Sequence, residues 1–120
     1  MLHEKKISIN FDAEKPEYQF GIEALEEKNY PKALDYFNAA FQKYPGSAAL
    51  FGNMALSFQG LKRFNEAKLF YKKALMLAPL DQNLNLAFIQ LLHIEKKYDQ
   101  SITFLKEIEN TLTPSLEIYF

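Results

Sequence analysis

Apolar and polar residues along this chain repeat with two periods at once. The shorter is helical: Ala33, Phe37 and Ala40, and again Ala67, Tyr71 and Ala74, stand at i, i+4 and i+7, which stacks each set on one helix face. The longer is 34 residues. Tyr30, Phe64 and Tyr98 recur at that interval, as do Ala33, Ala67 and Ser101, then Phe37, Tyr71 and Leu105, then Ala40, Ala74 and Ile108. Four columns in one register divide residues 14–115, without a gap, into three units at 14–47, 48–81 and 82–115. Two helices are expected per unit, over 16–28 and 31–43, 48–60 and 64–77, and 82–95 and 98–111.

Each column has a physical reason. Small residues at Ala33, Ala67, Ala40 and Ala74 let a neighbouring helix approach the second helix of the unit closely. Upstream, Phe20-Gly21, Met54-Ala55 and Phe88-Ile89 pair an apolar side chain with a mostly small one, so the first helix can pack tightly on the second. Pro45 and Pro79 arrive just after the second helix, where a fixed φ and a missing N–H stop propagation. Asn29-Tyr30-Pro31 and the run Gly60 to Phe64 read as tight turns inside a unit, with Pro31 well placed at a first helical position. By this register Ala67 falls at a helix contact and its neighbour Lys68 in solvent. The third unit departs from the pattern: Ile89, Ser101 and Ile108 replace small residues and the proline is displaced to Pro114, while Tyr98 keeps the register.

These residues resemble the tetratricopeptide repeat family. In the first unit the resemblance is carried by Phe20-Gly21, Tyr30, Ala33, Phe37, Ala40 and Pro45. Phe51, Ala55, Phe58, Phe64, Ala67, Tyr71, Ala74 and Pro79 carry it in the second. It implies an all-α fold, a right-handed superhelical stack of three antiparallel helix-turn-helix repeats, whose concave groove is lined by the first helix of each pair. Three units are about the minimum for stability, because one helix pair cannot bury its own apolar face.

The ends differ from the repeats. In the leader, residues 1–13, Ile7-Ser8-Ile9-Asn10-Phe11 alternates apolar and polar with period two, which suits either an extended segment docked on the helical stack or on a partner, or a disordered leader. Residues 116–120 read as the start of a capping or following helix. Their apolar side chains at Leu116, Tyr119 and Phe120 suggest an excerpt of a longer protein, or an end covered by a second chain.

Composition narrows the function classes. With 48% apolar and 24% charged residues the chain is an ordinary globular sequence. Its 14 basic and 15 acidic residues give a net charge of -1, which lacks the basic excess that phosphate binding requires, so no nucleic-acid partner is expected. No apolar run approaches membrane-spanning length and the N-terminus lacks a signal-peptide core, so no membrane insertion is expected and the location is taken as cytoplasmic.

Candidate chemistry is sparse. Two histidines and no cysteine cannot assemble a typical zinc site, which leaves His93 as a surface or partner-contact residue. No nucleophile elbow accompanies the serines, and the four glycines sit at packing and turn positions rather than in a phosphate loop. Glu23, Glu26 and Glu27 form an acidic helix face whose ordinary role is solvation. Neither enzyme activity nor a cofactor is expected. The basic pairs Lys62-Arg63 and Lys96-Lys97 recur at the turn inside a unit, forming either a rim that steers an acidic partner or a soluble edge.

The best-known activity of the family is the capture of acidic C-terminal tails by a clamp of cations and amides. Carried over, the clamp positions fall at Tyr18, Ile22, Asn53, Asn83 and Ala87, of which only Asn53 suits, so that mode of binding is not expected here. The same register lines the groove with Tyr18, Ile22, Leu25, Asn53, Leu56, Leu86 and Gln90, an apolar floor with an amide flank. Such a floor suits an apolar extended peptide or an amphipathic helix, unless the stack or the leader already covers it. The sequence therefore points to a protein- or peptide-binding scaffold. The alternative is an assembly module that self-associates through Leu112, Leu116, Tyr119 and Phe120.

Overall fold

The computed structural model describes residues 16–44 and 46–118, with side chains through residue 111. The leader 1–13, Pro45, Tyr119 and Phe120 lie outside the described residues, as do the side chains of Leu112 and Leu116. The described chain is all-helical: α1 Pro16–Glu26, α2 Tyr30–Lys43, α3 Ala48–Gly60, α4 Phe64–Leu77, α5 Gln82–Ile94 and α6 Tyr98–Ile118. Each helix packs on the next, and α1 also touches α3.

Local chemistry sets the boundaries. Asn29 Oδ1 accepts from the Lys32 N–H at 3.3 Å to cap α2, Ser47 Oγ from Leu50 at 3.1 Å to cap α3, and Asp81 Oδ1 from Leu84 at 3.0 Å to cap α5. The turns between α1 and α2, α3 and α4, and α5 and α6 share one form. Lys28, Lys62 and Lys96 take φ of 62°, 62° and 61°, the left-handed region, and they stand 34 residues apart. At each turn this lysine donates to the carbonyl three residues back (Leu25, Gln59, His93) and the next residue donates to the carbonyl five back (Ala24, Phe58, Leu92), at 2.7 to 2.9 Å. This is a Schellman helix end with lysine in the place glycine usually takes.

Packing follows the small-residue columns. Ala33, Phe37 and Ala40 are buried with Ala24, Leu34, Leu50 and Met54 in one cluster, and Ala67, Tyr71 and Ala74 with Ala55, Phe88 and Leu91 in a second. Phe51, Phe58 and Phe70 pack against both clusters and join them. Gly21 is required by closeness: a Cβ there would lie 2.5 Å from the Phe37 ring.

The third unit keeps only part of this arrangement. Ser101 is buried where Ala33 and Ala67 are, but Leu105 is 47% exposed where Phe37 and Tyr71 are fully buried. Helices α5 and α6 are packed more loosely than the first two pairs, with the bulkier Ile108 standing where Ala40 and Ala74 allow close approach. The sequence places the end of this unit at Pro114 and Ser115 and a further helix from Leu116; instead α6 runs unbroken through Pro114 to Ile118. An internal proline loses one ladder bond and crowds the carbonyl four residues back, which either kinks a helix or ends it.

Lys68 also differs from expectation. It is half-buried, with Nζ 3.0 Å from Glu95 Oε1, an ion pair that ties α4 to the turn between α5 and α6. At the opposite end Lys43 Nζ donates to Glu17 Oε2 at 2.6 Å and joins α2 to α1. That ammonium holds the Glu17 carboxyl below its usual range, and the carboxylate holds Lys43 above its own.

Candidate functional site

Residues assigned to the groove fall on α1, α3 and α5, and the structure brings some of them together. Tyr18 on α1 accepts a hydrogen bond from Asn53 Nδ2 on α3 at 2.8 Å, and its ring lies 5.8 Å from that of Phe37. Burial pushes the Tyr18 phenol above its ordinary pKa, against the opposing pull of the Asn53 bond, so it stays neutral and able to donate as well as accept. Ile22 and Leu25 are half-buried against the first core cluster beside Tyr18. Leu25 and Leu56 share a hollow of about 320 Å³ with Glu26, Lys28, Tyr30, Gln59 and Gly60. The C-terminal halves of α1 and α3 thus present leucine side chains flanked by one carboxylate and one ammonium.

Leu86 and Gln90 stand apart from that hollow on α5, Leu86 at 55% exposure and Leu56 at 40%. Several neighbouring side chains on these helices are already engaged within the chain. Gln59 Oε1 accepts from the Tyr71 hydroxyl at 2.8 Å, and burial holds that phenol far above its ordinary pKa. Gly52 is buried against Leu84, whose methyl would lie 2.8 Å from an added Cβ. Asn53 positions Tyr18. What remains open to a ligand is Leu56 with Leu25, then Leu86 and Gln90 one unit further on.

His93 makes a contact the sequence did not suggest: its Nε2 lies 3.0 Å from Ser101 Oγ. An imidazole beside a serine hydroxyl is the start of a nucleophile and base pair. Ser101 is only 1% exposed, however, so no substrate reaches its oxygen, and the bond serves to satisfy a hydroxyl buried where the other units carry alanine. Among the described residues no group of three or more acidic or histidine side chains converges as a metal site, and no helix is long and apolar enough to cross a membrane.

The basic rim is smaller than its sequence. Arg63 pairs with Glu66, Nε to Oε1 at 3.2 Å, and its guanidinium lies 4.9 Å over the Phe58 ring, so Lys62, Lys96 and Lys97 are left to form it. A further hollow, bounded by α4, α5 and α6, was not foreseen. Its signals were present in two columns, where Leu80 and Asn85 stand 34 residues after Gly46 and Phe51. No protein-family model matches this chain, and no curated protein sequence does.

Proposed function

We propose that this chain is a non-catalytic scaffold of the tetratricopeptide type, three antiparallel helix pairs in a right-handed superhelical stack, that holds an apolar peptide or helix in the groove of its first helices. The repeat reading is supported by the recurrence of left-handed lysine turns at 34-residue spacing, over the same columns that place Ala33, Ala67 and Ser101 in helix contacts. One observation carries the binding reading: Leu56 is 40% exposed beside Leu25, next to the Tyr18–Asn53 bond that fixes the groove wall. The proposal places the protein in the cytoplasm.

A peptide library selected against the wild type tests the reading. Apolar sequences should be enriched, and Leu56→Asp should abolish their binding with helicity unchanged, because a carboxylate buried by the ligand without a partner costs several kcal/mol, in the range of about 2–5, only in the complex. Binding should weaken little between low and physiological salt. Retention by Leu56→Asp, with loss on changing Lys62, Arg63, Lys96 and Lys97 to glutamine, would move the site to the rim.

A second reading rests on Leu105. It is exposed together with Ile94, Tyr98 and Ile102 in the third helix pair, whereas Phe37 and Tyr71 are buried at its place in the first two. Assembly through those exposed side chains, or through the apolar residues Leu116, Tyr119 and Phe120 that the sequence singles out, is the alternative function.

A further inference from the structure

The spaces between successive units are not equivalent. Between α2, α3 and α4 the space is filled by aromatic rings: Phe51 lies 5.7 Å from Phe41 and 6.0 Å from Phe70, and Phe70 stacks on Phe58 at 5.3 Å. Gly46 makes room for the Phe51 ring, which an added Cβ would meet at 2.3 Å. Lys73 covers the cluster, its Nζ 4.8 Å from the Phe70 centroid and 5.8 Å from that of Phe51.

Thirty-four residues on, between α4, α5 and α6, the filling ring and its cation are both gone. Asn85 replaces Phe51 and folds back to donate to the carbonyls of Pro79 and Asp81, each at 2.9 Å. Leu80 replaces Gly46 and Glu107 replaces Lys73, while Phe104 keeps the place of Phe70 and packs edge-on to Phe88 at 4.8 Å. Two adjoining cavities of about 360 and 350 Å³ result, both walled by Phe88, Phe104, Lys72 and Glu107. Asp99 lines the first, and the second opens past Met76, which is 82% exposed.

We infer that this cleft receives an aromatic side chain with an adjacent cation from a partner peptide. The filled cleft shows what the open one lacks. A ring is missing beside Phe104, and each cavity is large enough for one side chain at the lower end of ligand-site volumes. The covering cation is replaced by a carboxylate, so a cation standing over the Phe104 ring must come from the ligand, where Glu107 and Asp99 outweigh Lys72. The inference needs only the comparison of the two clefts and is independent of binding in the groove.

Acetyl-Phe-Arg-amide, acetyl-Phe-Glu-amide and acetyl-Ala-Arg-amide, titrated into the whole chain and followed by NMR at the Met76 methyl and the Thr103 and Thr111 amides, test it. Saturable shifts confined to the cleft are expected with Phe-Arg, weaker binding by about two- to five-fold with Phe-Glu, as for an exposed ion pair, and none with Ala-Arg. Glu107→Lys should invert the Arg over Glu preference, and Leu80→Gly with Asn85→Phe should fill the cleft and weaken Phe-Arg binding tenfold or more. If the filled variant does not fold, the inversion by Glu107→Lys decides. Absent or scattered shifts, equal response to all three peptides, a preference unmoved by Glu107→Lys, or Met76 shifts that follow protein concentration without peptide, as when a second copy occupies the cleft, would overturn the inference.

Discussion

Replacing Lys62 by glycine should make the protein more stable, although glycine is the poorest helix former after proline. Lys62 sits at φ 62°, where a side chain brings Cβ against the following carbonyl at a cost of about 1–2 kcal/mol. Glycine removes that cost but has more freedom to lose on folding, a penalty of about 0.5–1 kcal/mol. The balance is a gain centred on about 0.75 kcal/mol, within a span of about 0–1.5. Its backbone bonds to Gln59 and Phe58 survive, because they use the Lys62 and Arg63 amides and not the side chain. Lys62→Val should act oppositely, since a β-branched residue is a severe misfit at positive φ.

Lys28 and Lys96 occupy the same conformation in the turns of the first and third units, so the same gain is expected at each. The three lysines stand in separate turns, so their effects should add to a first approximation, giving about 2 kcal/mol for the triple glycine variant. At about 4 °C per kcal/mol, the value between those of smaller and larger domains, that is a rise in Tm of about 8 °C. Urea unfolding followed by circular dichroism measures it. Loss of stability in any of the single glycine variants, or tolerance of Lys62→Val, would refute the left-handed turn and with it the equivalence of the units.

Ala67 is fully buried, so Ala67→Leu should overpack the helix contact and cost about 1–3 kcal/mol in urea unfolding. Lys68→Leu should also destabilise, by about 1–3 kcal/mol, because it leaves Glu95 half-buried without its ammonium, and adding Glu95→Gln should restore most of the loss. The Glu17 carboxyl is held low by Lys43, so its contribution to stability is present above pH about 4.3 and is lost as pH falls through the lowered folded value; Lys43→Gln should flatten that limb of the stability profile. If the apolar end self-associates, sedimentation should depend on concentration, and Leu105→Asp, like Tyr119→Asp with Phe120→Ser, should remove the dependence.

What the sequence made legible was what repeats. Small residues at Ala33, Ala67, Ala40 and Ala74 announced helix contacts because a missing side chain has one common structural use, and the six helices followed from the spacing of those columns. The left-handed turns were illegible for the opposite reason. Glycine marks a positive φ in sequence, and here lysine occupies all three positions, so the column read as charge when its determining property is backbone shape. Lys68 was misplaced because one helix face was judged by its own unit, whereas its partner Glu95 belongs to the next.

The residues assigned to the groove are legible in sequence as a set of positions, but their contacts are not. Register assigns Asn53 to α3, yet only the fold shows its amide donating to Tyr18 across to α1. The cleft between α4, α5 and α6 is not legible from columns that agree between units, because it lies where the units differ. Gly46 and Phe51 fit each other as a pocket and its ring; Leu80 and Asn85 change both members together, and Glu107 reverses the charge that covered them. The joint change of ring, space and charge, at positions that otherwise keep Phe104 in register, leaves a cavity with a defined chemical complement.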